Sequence, residues 1–247
     1  MDSNFYGSYF KAEEKHWWFR VRRNLIISLV EKYKVPKTAK IFDFGCGSGY
    51  TVGYLQKLGY DASGSDISAE AIGFGLGRGI RNLTVVQGRE IKPPEGGFDV
   101  VLALDVIEHI NDDMGAIKAI EGALKPGGMA IITVPAYQWL WGVQDEVAHH
   151  YRRYTAASFA QLVHKNTHLK IVKETYFNTF LFLPIAIVRI FSKWFNLKGR
   201  ESDFDINSTW LNKLFFHIFN LESKFLKRMN FPFGISILAV IKKDEIK

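Results

Sequence analysis

The segment Ile41-Phe-Asp-Phe-Gly-Cys-Gly-Ser-Gly-Tyr50 constrains this chain more than any other. A short apolar run ends in an acid and then in glycines at alternate positions, Gly45, Gly47 and Gly49. Glycine takes positive φ without steric cost and lets the backbone approach a ligand, because no Cβ intervenes. The residues that follow, Thr51-Val-Gly-Tyr-Leu-Gln-Lys-Leu58, read as a helix start. Strand, glycine turn, helix is the nucleotide-cradling unit of doubly wound α/β sheets. Spacing then narrows the ligand. A dinucleotide turn wants its last glycine where this chain has Tyr50, and a bulky side chain there spoils close helix packing.

Strand and helix signals alternate through the rest of the chain. Strands are expected at 40–44, 61–65, 83–87, 98–104, 129–134, 169–176 and 236–242, with Lys125-Pro-Gly-Gly128 as a turn. Helices are expected at 24–34, 50–58, from Ser68 as N-cap, at 112–124 and at 155–165. Phe98–Leu104 is apolar on both faces, as a central parallel strand should be. The pattern predicts an α/β, Rossmann-like fold: a mostly parallel sheet with helices on both faces. With 247 residues, there is room for one large domain and an added element. Cys46 is the sole cysteine, which excludes an intrachain disulfide and a zinc-cysteine cluster. The first residues have neither the basic nor the apolar region of a signal peptide, so a cytoplasmic location is expected.

Asp66 closes the second strand, where a carboxylate can accept hydrogen bonds from both ribose hydroxyls of a nucleoside. A helix N-terminal acid is its structural alternative. Further on come Phe98-Asp-Val-Val-Leu-Ala-Leu-Asp-Val-Ile-Glu-His-Ile110 and Leu124-Lys-Pro-Gly-Gly-Met-Ala-Ile-Ile-Thr-Val-Pro135. Over about residues 38–135 this ordered set resembles the class I S-adenosylmethionine (SAM) methyltransferases. The resemblance implies a seven-stranded sheet with an antiparallel last hairpin and SAM as the cofactor. It assigns the methionine moiety to the turn of Asp43, Gly45, Cys46, Gly47 and Gly49. It gives the ribose and adenine face to Asp66 and Ile67, and the methionine end to Leu104 and Asp105. Where the family often has an adenine-binding acid, this chain has Gly88-Arg89-Glu90. Arg89 can stack on adenine but cannot accept a hydrogen bond, which leaves Glu90 or a backbone carbonyl for that role.

The flanks resemble a narrower, small-molecule branch, with His16-Trp17-Trp18-Phe19 and Arg20 before the core. After it come Trp141, Asp145 and His150-Tyr-Arg-Arg-Tyr-Thr155. These make Trp17, Trp18, Arg20, Trp141, Arg152, Arg153 and Tyr154 candidate acceptor-site residues. For the arginines and Tyr154, a salt-bridged helix start is the competing role, and for the tryptophans it is core packing. His150 and His109 are the candidate general bases. No cluster with clear metal-ligand spacing stands out.

Between the last two strands lies an insertion, 177–235. Phe180–Phe191 is a continuous apolar run apart from Arg189, shorter than a membrane span needs and carrying Pro184. Trp210–Met229 repeats apolar residues at helical spacing among Lys213, Lys224, Lys227 and Arg228. The net charge of +7 and the 15% aromatic content suit several uses. The insertion fits an interfacial element on an anionic membrane surface, a cap over a small-molecule or lipid-linked acceptor, or a homodimer face. Without a base-flipping motif or RNA-binding appendage, no nucleic-acid partner is expected. The expected organisation is an aromatic helical lid (1–36), a SAM-binding core (37–176), the insertion (177–235), and a last strand and tail (236–247).

Overall fold

The computed structural model describes residues 12–86, 97–194 and 208–245. Strands β1 (Lys40–Phe44), β2 (Asp61–Asp66), β3 (Leu83–Val85), β4 (Phe98–Leu104), β5 (Leu124–Pro135), β6 (Lys170–Phe177) and β7 (Ser236–Lys242) form one seven-stranded sheet. Its order is β3-β2-β1-β4-β5-β7-β6, with β7 antiparallel to both neighbours. The helices are α1 (Trp17–Lys32), α2 (Tyr50–Lys57), α3 (Ala69–Gly77), α4 (Asp113–Ala123) and α5 (Val143–Val147), followed by α6 (Ala156–Asn166), α7 (Phe182–Trp194) and α8 (Thr209–Leu226).

The two faces of the sheet follow from the two-residue period of a strand. Ile41, Leu102, Ile131, Leu238 and Val240 point into one core with α1, α2 and α8. Phe42, Ala103, Ile132, Ile237 and Ile241 point into the other with α4 and α6. Alternate residues are apolar on both faces because both faces are covered by helices.

β5 begins at Leu124 rather than Met129. Leu124 pairs with Phe98 before the register shifts, so the expected Lys125–Gly128 turn is an irregular stretch of strand. α1 begins at Trp17 rather than residue 24. The His16 ring accepts from the Trp18 N–H at 3.3 Å, and the helix stops at Lys32, ahead of Pro36.

The insertion is fastened to the N-terminal helix. The orphan Trp17 N–H at the head of α1 donates to Asn212 Oδ1 of α8 at 2.7 Å, and Asn212 Nδ2 donates to the Lys15 carbonyl. The Trp18 ring stacks on Phe177 and on Phe219, with centroids 5.6 and 5.5 Å away. Buried Glu222 of α8 accepts from the Phe180 N–H at 2.8 Å and so holds the turn leading into α7. Pro184 sits in the first turn of α7, where a missing N–H costs nothing. Among the described residues, no helix is long and apolar enough to cross a membrane.

Candidate functional site

The candidate residues gather at the carboxyl end of the parallel strands, the ligand side of open α/β sheets. The turn after β1 carries positive φ at Gly45 (67°), Gly47 (56°) and Gly49 (69°). The three glycines do different jobs. A Cβ on Gly45 would lie 2.2 Å from Val106, and one on Gly49 would lie 2.6 Å from Leu83, so these two admit neighbouring side chains. A Cβ on Gly47 would meet only Glu13, at 3.3 Å. Gly47 is therefore the member of the turn that opens onto the crevice. Cys46 is buried. Its thiol is pushed far up by burial and by the carboxylates of Asp43, Asp66 and Glu13, so it packs and stays neutral.

Asp66 stands opposite the turn. Its Oδ2 accepts from the Gly47 N–H at 2.8 Å and its Oδ1 from the Ser68 N–H at 2.9 Å. Each oxygen keeps a lone pair, so a diol fits without breaking either bond. Ile67 beside it is 75% exposed, an apolar side chain left open at the crevice edge. Asp43 is buried at the end of β1. Burial raises its carboxyl to about 7; Arg22 opposes the rise, while Asp66 and Glu13 add to it. Leu104 is buried in the core, which leaves only its backbone for a ligand. Arg89 and Glu90 lie outside the described residues.

Asp105 follows β4 with a positive φ of 56°. It is ion-paired with Arg22 of α1, and it accepts from the Thr133 hydroxyl at 3.0 Å. Arg22 and Glu13 are site residues that motif reading missed. They precede the first strand, and the aromatic run around them drew attention to Trp17 and Trp18 instead.

Of the two roles left open for those tryptophans, the structure shows the packing one. Trp17 is buried against Phe215 and Phe219, and half-buried Trp18 stacks on Phe177 and Phe219, so both help to seat α8. Arg20 lies over the Phe216 ring at 4.1 Å, again toward α8.

On the other side of the crevice, Asp145 is fully buried and organises its neighbours. Its Oδ1 and Oδ2 take a bidentate fork from Arg153 at 2.8 and 2.9 Å. Oδ1 also meets His150 Nδ1 at 2.8 Å, and Arg189 of α7 approaches at 3.5 Å. Burial works against the charge. Hydrogen bonds from His150 and Arg153, with the Arg153 and Arg189 charges, still hold Asp145 well below the usual carboxylate range. A carboxylate can only accept, so the proton sits on Nδ1 of His150 and Nε2 is the basic nitrogen.

Arg153 Nη1 donates to the Ala136 carbonyl at 2.9 Å, and the side chain is buried. These contacts are those of the salt-bridged role that the sequence left open for it. The Tyr154 ring likewise lies in the core, and its hydroxyl donates to Asp113 at 3.0 Å. Arg152 pairs with Asp113 at 2.7 Å and with the Asn111 carbonyl at 2.8 Å. Trp141 stays half-buried, edge-on to His150 with ring centroids 6.5 Å apart.

His109 meets His150 edge-on, with ring centroids 4.5 Å apart. Burial lowers His109 to about 4, helped by His150, so the ring is neutral near pH 7. Glu108 beside them is fully buried, and neither carboxylate oxygen has a hydrogen-bond partner among the described residues. Burial and Asp105 push it well above the usual carboxylate range. Glu108, His109 and His150 each offer a ligand atom within 4.8 Å of the others. Linear spacing hid this group, because His150 arrives from a distant loop. The arrangement can hold a nucleoside against Asp66, and it can take a proton on His150.

Comparisons with known proteins bear on the family and the fold. A methyltransferase domain matches residues 16–179. The chain is 26% identical over 140 residues to a ubiquinone biosynthesis O-methyltransferase of Pseudomonas aeruginosa, which is 50% of this chain and 60% of that protein. It is 33% identical over 97 residues to the one of Methylococcus capsulatus, 36% of this chain and 40% of that protein. The matches thus span less than two thirds of these relatives.

Among solved structures, a chain of the "Complex between the Haloferax volcanii Trm112 methyltransferase activator and the putative methyltransferase" superposes with a TM-score of 0.62, covering 99% of this chain and 96% of that one at 16% identity. The [4+2]-cyclase SpnF superposes with a TM-score of 0.60, covering 93% and 83%, also at 16% identity. At such identities the likeness is one of fold. With the domain match covering most of its length, this chain belongs to the methyltransferase domain family.

Proposed function

We propose that this protein is a SAM-dependent methyltransferase that methylates a hydroxyl group of a small, largely apolar acceptor. The observation that carries the reading is a juxtaposition at the carboxyl end of the parallel strands. A glycine turn and Asp66 suit a nucleoside, and His150, oriented by Asp145, is poised as a base. When bound, SAM supplies a methyl group already activated on a sulfonium. What remains for the chain is alignment, exclusion of water and removal of the acceptor proton.

In this reading, Asp66 takes the ribose hydroxyls, Ile67 lies along the adenine, and Arg22 at Asp105 takes the methionyl carboxylate. His150 Nε2 accepts the hydroxyl proton. Asp145, clamped by Arg153, stabilises the imidazolium that forms and keeps the ring from turning. The named relatives act in ubiquinone biosynthesis as O-methyltransferases, which supports oxygen over nitrogen as the acceptor atom. An NAD oxidoreductase is disfavoured by Tyr50 in the glycine turn.

The acceptor class follows from α7 and α8. Leu183, Ile187 and Phe191 on α7 and Trp210 on α8 are more than half exposed. Arg189, on the inner side of α7, donates to the Leu140 carbonyl at 2.8 Å and approaches Asp145. A greasy or lipid-linked acceptor held by these helices would lie beside the base. The test is incubation with methyl-labelled SAM and extracts separated into lipid, glycan and small-molecule pools. Label entering the lipid or small-molecule pool, and lost in His150→Ala, supports the reading. Label in protein or nucleic acid contradicts it.

One observation favours a second reading of the base. The orphaned Glu108 carboxylate, with His109 and His150, suits a divalent cation as well as a proton relay. Methyl transfer that survives exhaustive chelation supports the base; loss on chelation, restored by added metal, supports the cation.

A further inference from the structure

One wall of the donor crevice is formed by a residue that no motif marks. Glu13 lies in the helical stretch 12–15 ahead of α1 and is only 8% exposed. One carboxylate oxygen accepts from the buried Ser48 hydroxyl. The other is the atom 3.3 Å from a Cβ built on Gly47, so the side chain stands over the one glycine of the turn that opens onto the crevice.

We propose that Glu13 is a donor-binding residue that faces the positively charged methionyl end of SAM and selects the cationic donor over its uncharged thioether product. This rests on the reading of the crevice as a SAM site.

The argument is one of charge in a confined space. Glu13, Asp43 and Asp66 converge on the same turn from α1's leader, β1 and β2. The cations that face Glu13 are Arg22 of α1 and Arg78 after α3. Arg22 is paired with Asp105, and Arg78 lies 3.7 Å from Glu14. Arg23 spends a donor on the Glu13 backbone carbonyl at 3.4 Å. Among the described residues, three carboxyl groups thus meet at the turn, and each of the two arginines facing Glu13 also has another acidic neighbour. Burial raises both Glu13 and Asp43 to about 7, against the Ser48 hydrogen bond at Glu13 and the Arg22 charge at both.

A cation brought among these carboxyls favours their ionised form. Donor binding should therefore expel protons near neutral pH, and donor affinity should rise as pH climbs through that range. S-adenosylhomocysteine lacks the sulfonium charge and should expel fewer.

The test is calorimetric titration at pH 7, with SAM and with S-adenosylhomocysteine, in two buffers of different ionisation heat. The wild-type chain is expected to release more proton with SAM than with the product. Glu13→Gln is expected to lose most of that difference and to bind SAM about tenfold more weakly, the scale of one charge-assisted contact. Its affinity for the product should change about twofold or less. A Glu13→Gln variant with the wild-type ratio of the two affinities overturns the proposal. So does equal proton release with the two ligands in the wild-type chain, a measurement that holds even if the variant does not fold. If the wild-type chain binds neither nucleoside, the donor reading itself fails and takes this proposal with it.

Discussion

At the scale of single residues, the account turns on Asp66 and on Asp145. Asp66 already bridges Gly47 and Ser68, so its carboxylate is held in place before any ligand arrives. Asp66→Ala should weaken SAM binding about tenfold or more, since a charged hydrogen bond contributes about 1.5–3 kcal/mol; calorimetry reads this directly, and unchanged affinity would remove Asp66 from the ribose. Asp145 has a different kind of importance. Asp145→Asn strips the charge from a buried fork with Arg153 and should destabilise the fold by about 3–5 kcal/mol, measured by denaturant unfolding. The sign of its pH dependence follows from its depressed carboxyl. The folded pKa lies below the unfolded one, so the stabilisation is complete above the unfolded value. It is lost as pH falls through the folded one, which places the effect in strongly acid solution. The place of Asp66 at the end of a strand was legible in the sequence. Asp145 as the organiser of His150 was not, because the contacts among Asp145, His150 and Arg153 depend on how the loop folds, and Arg189 comes from a separate helix.

At the scale of elements, the glycine turn and α8 carry the predictions. Gly45→Ala places a Cβ at positive φ and 2.2 Å from Val106, so it should destabilise by about 1–3 kcal/mol even without ligand. Gly47→Ala meets only the flexible end of Glu13 and should cost less stability while harming donor binding. Thermal melts with and without SAM separate the two, and equal effects would contradict the division of labour among the glycines. Phe219 of α8 is fully buried and stacks on Trp18 and Phe177. Phe219→Ala should lower stability by about 3–5 kcal/mol by unfolding titration, showing whether α8 belongs to the core. Strand positions were legible because period-two burial and glycine turns are local signals. The start of β5 was misplaced because Lys125-Pro-Gly-Gly128 has turn composition, yet pairing of Leu124 with Phe98 draws it into the ladder. The sequence left the roles of Trp17 and Trp18 open because helical aromatics look alike whether they cover a ligand or a neighbouring helix.

At the scale of the molecule, the glycine turn and the base stand at the carboxyl end of the parallel strands, and the apolar helix α7 reaches them through Arg189. Arg189 ties α7 to the residue that holds His150, so whatever α7 meets is felt at the base. If that is a lipid-linked acceptor, vesicles containing anionic lipid should carry the protein upward in a flotation gradient. Replacing Leu183 and Ile187 together with serine should abolish flotation and leave SAM affinity unchanged; undiminished flotation would show that these helices serve another purpose. The positions of the strands and the family were readable from the chain alone. The assembly of Glu108, His109 and His150 was not, because only the folded loops bring them together.

The most direct measurement is a crystal structure of the protein grown with SAM. The account predicts the ribose hydroxyls on the Asp66 carboxylate and the methionyl end over Gly47. A vacant crevice, or a phosphate-bearing nucleotide lodged in the glycine turn, would contradict it.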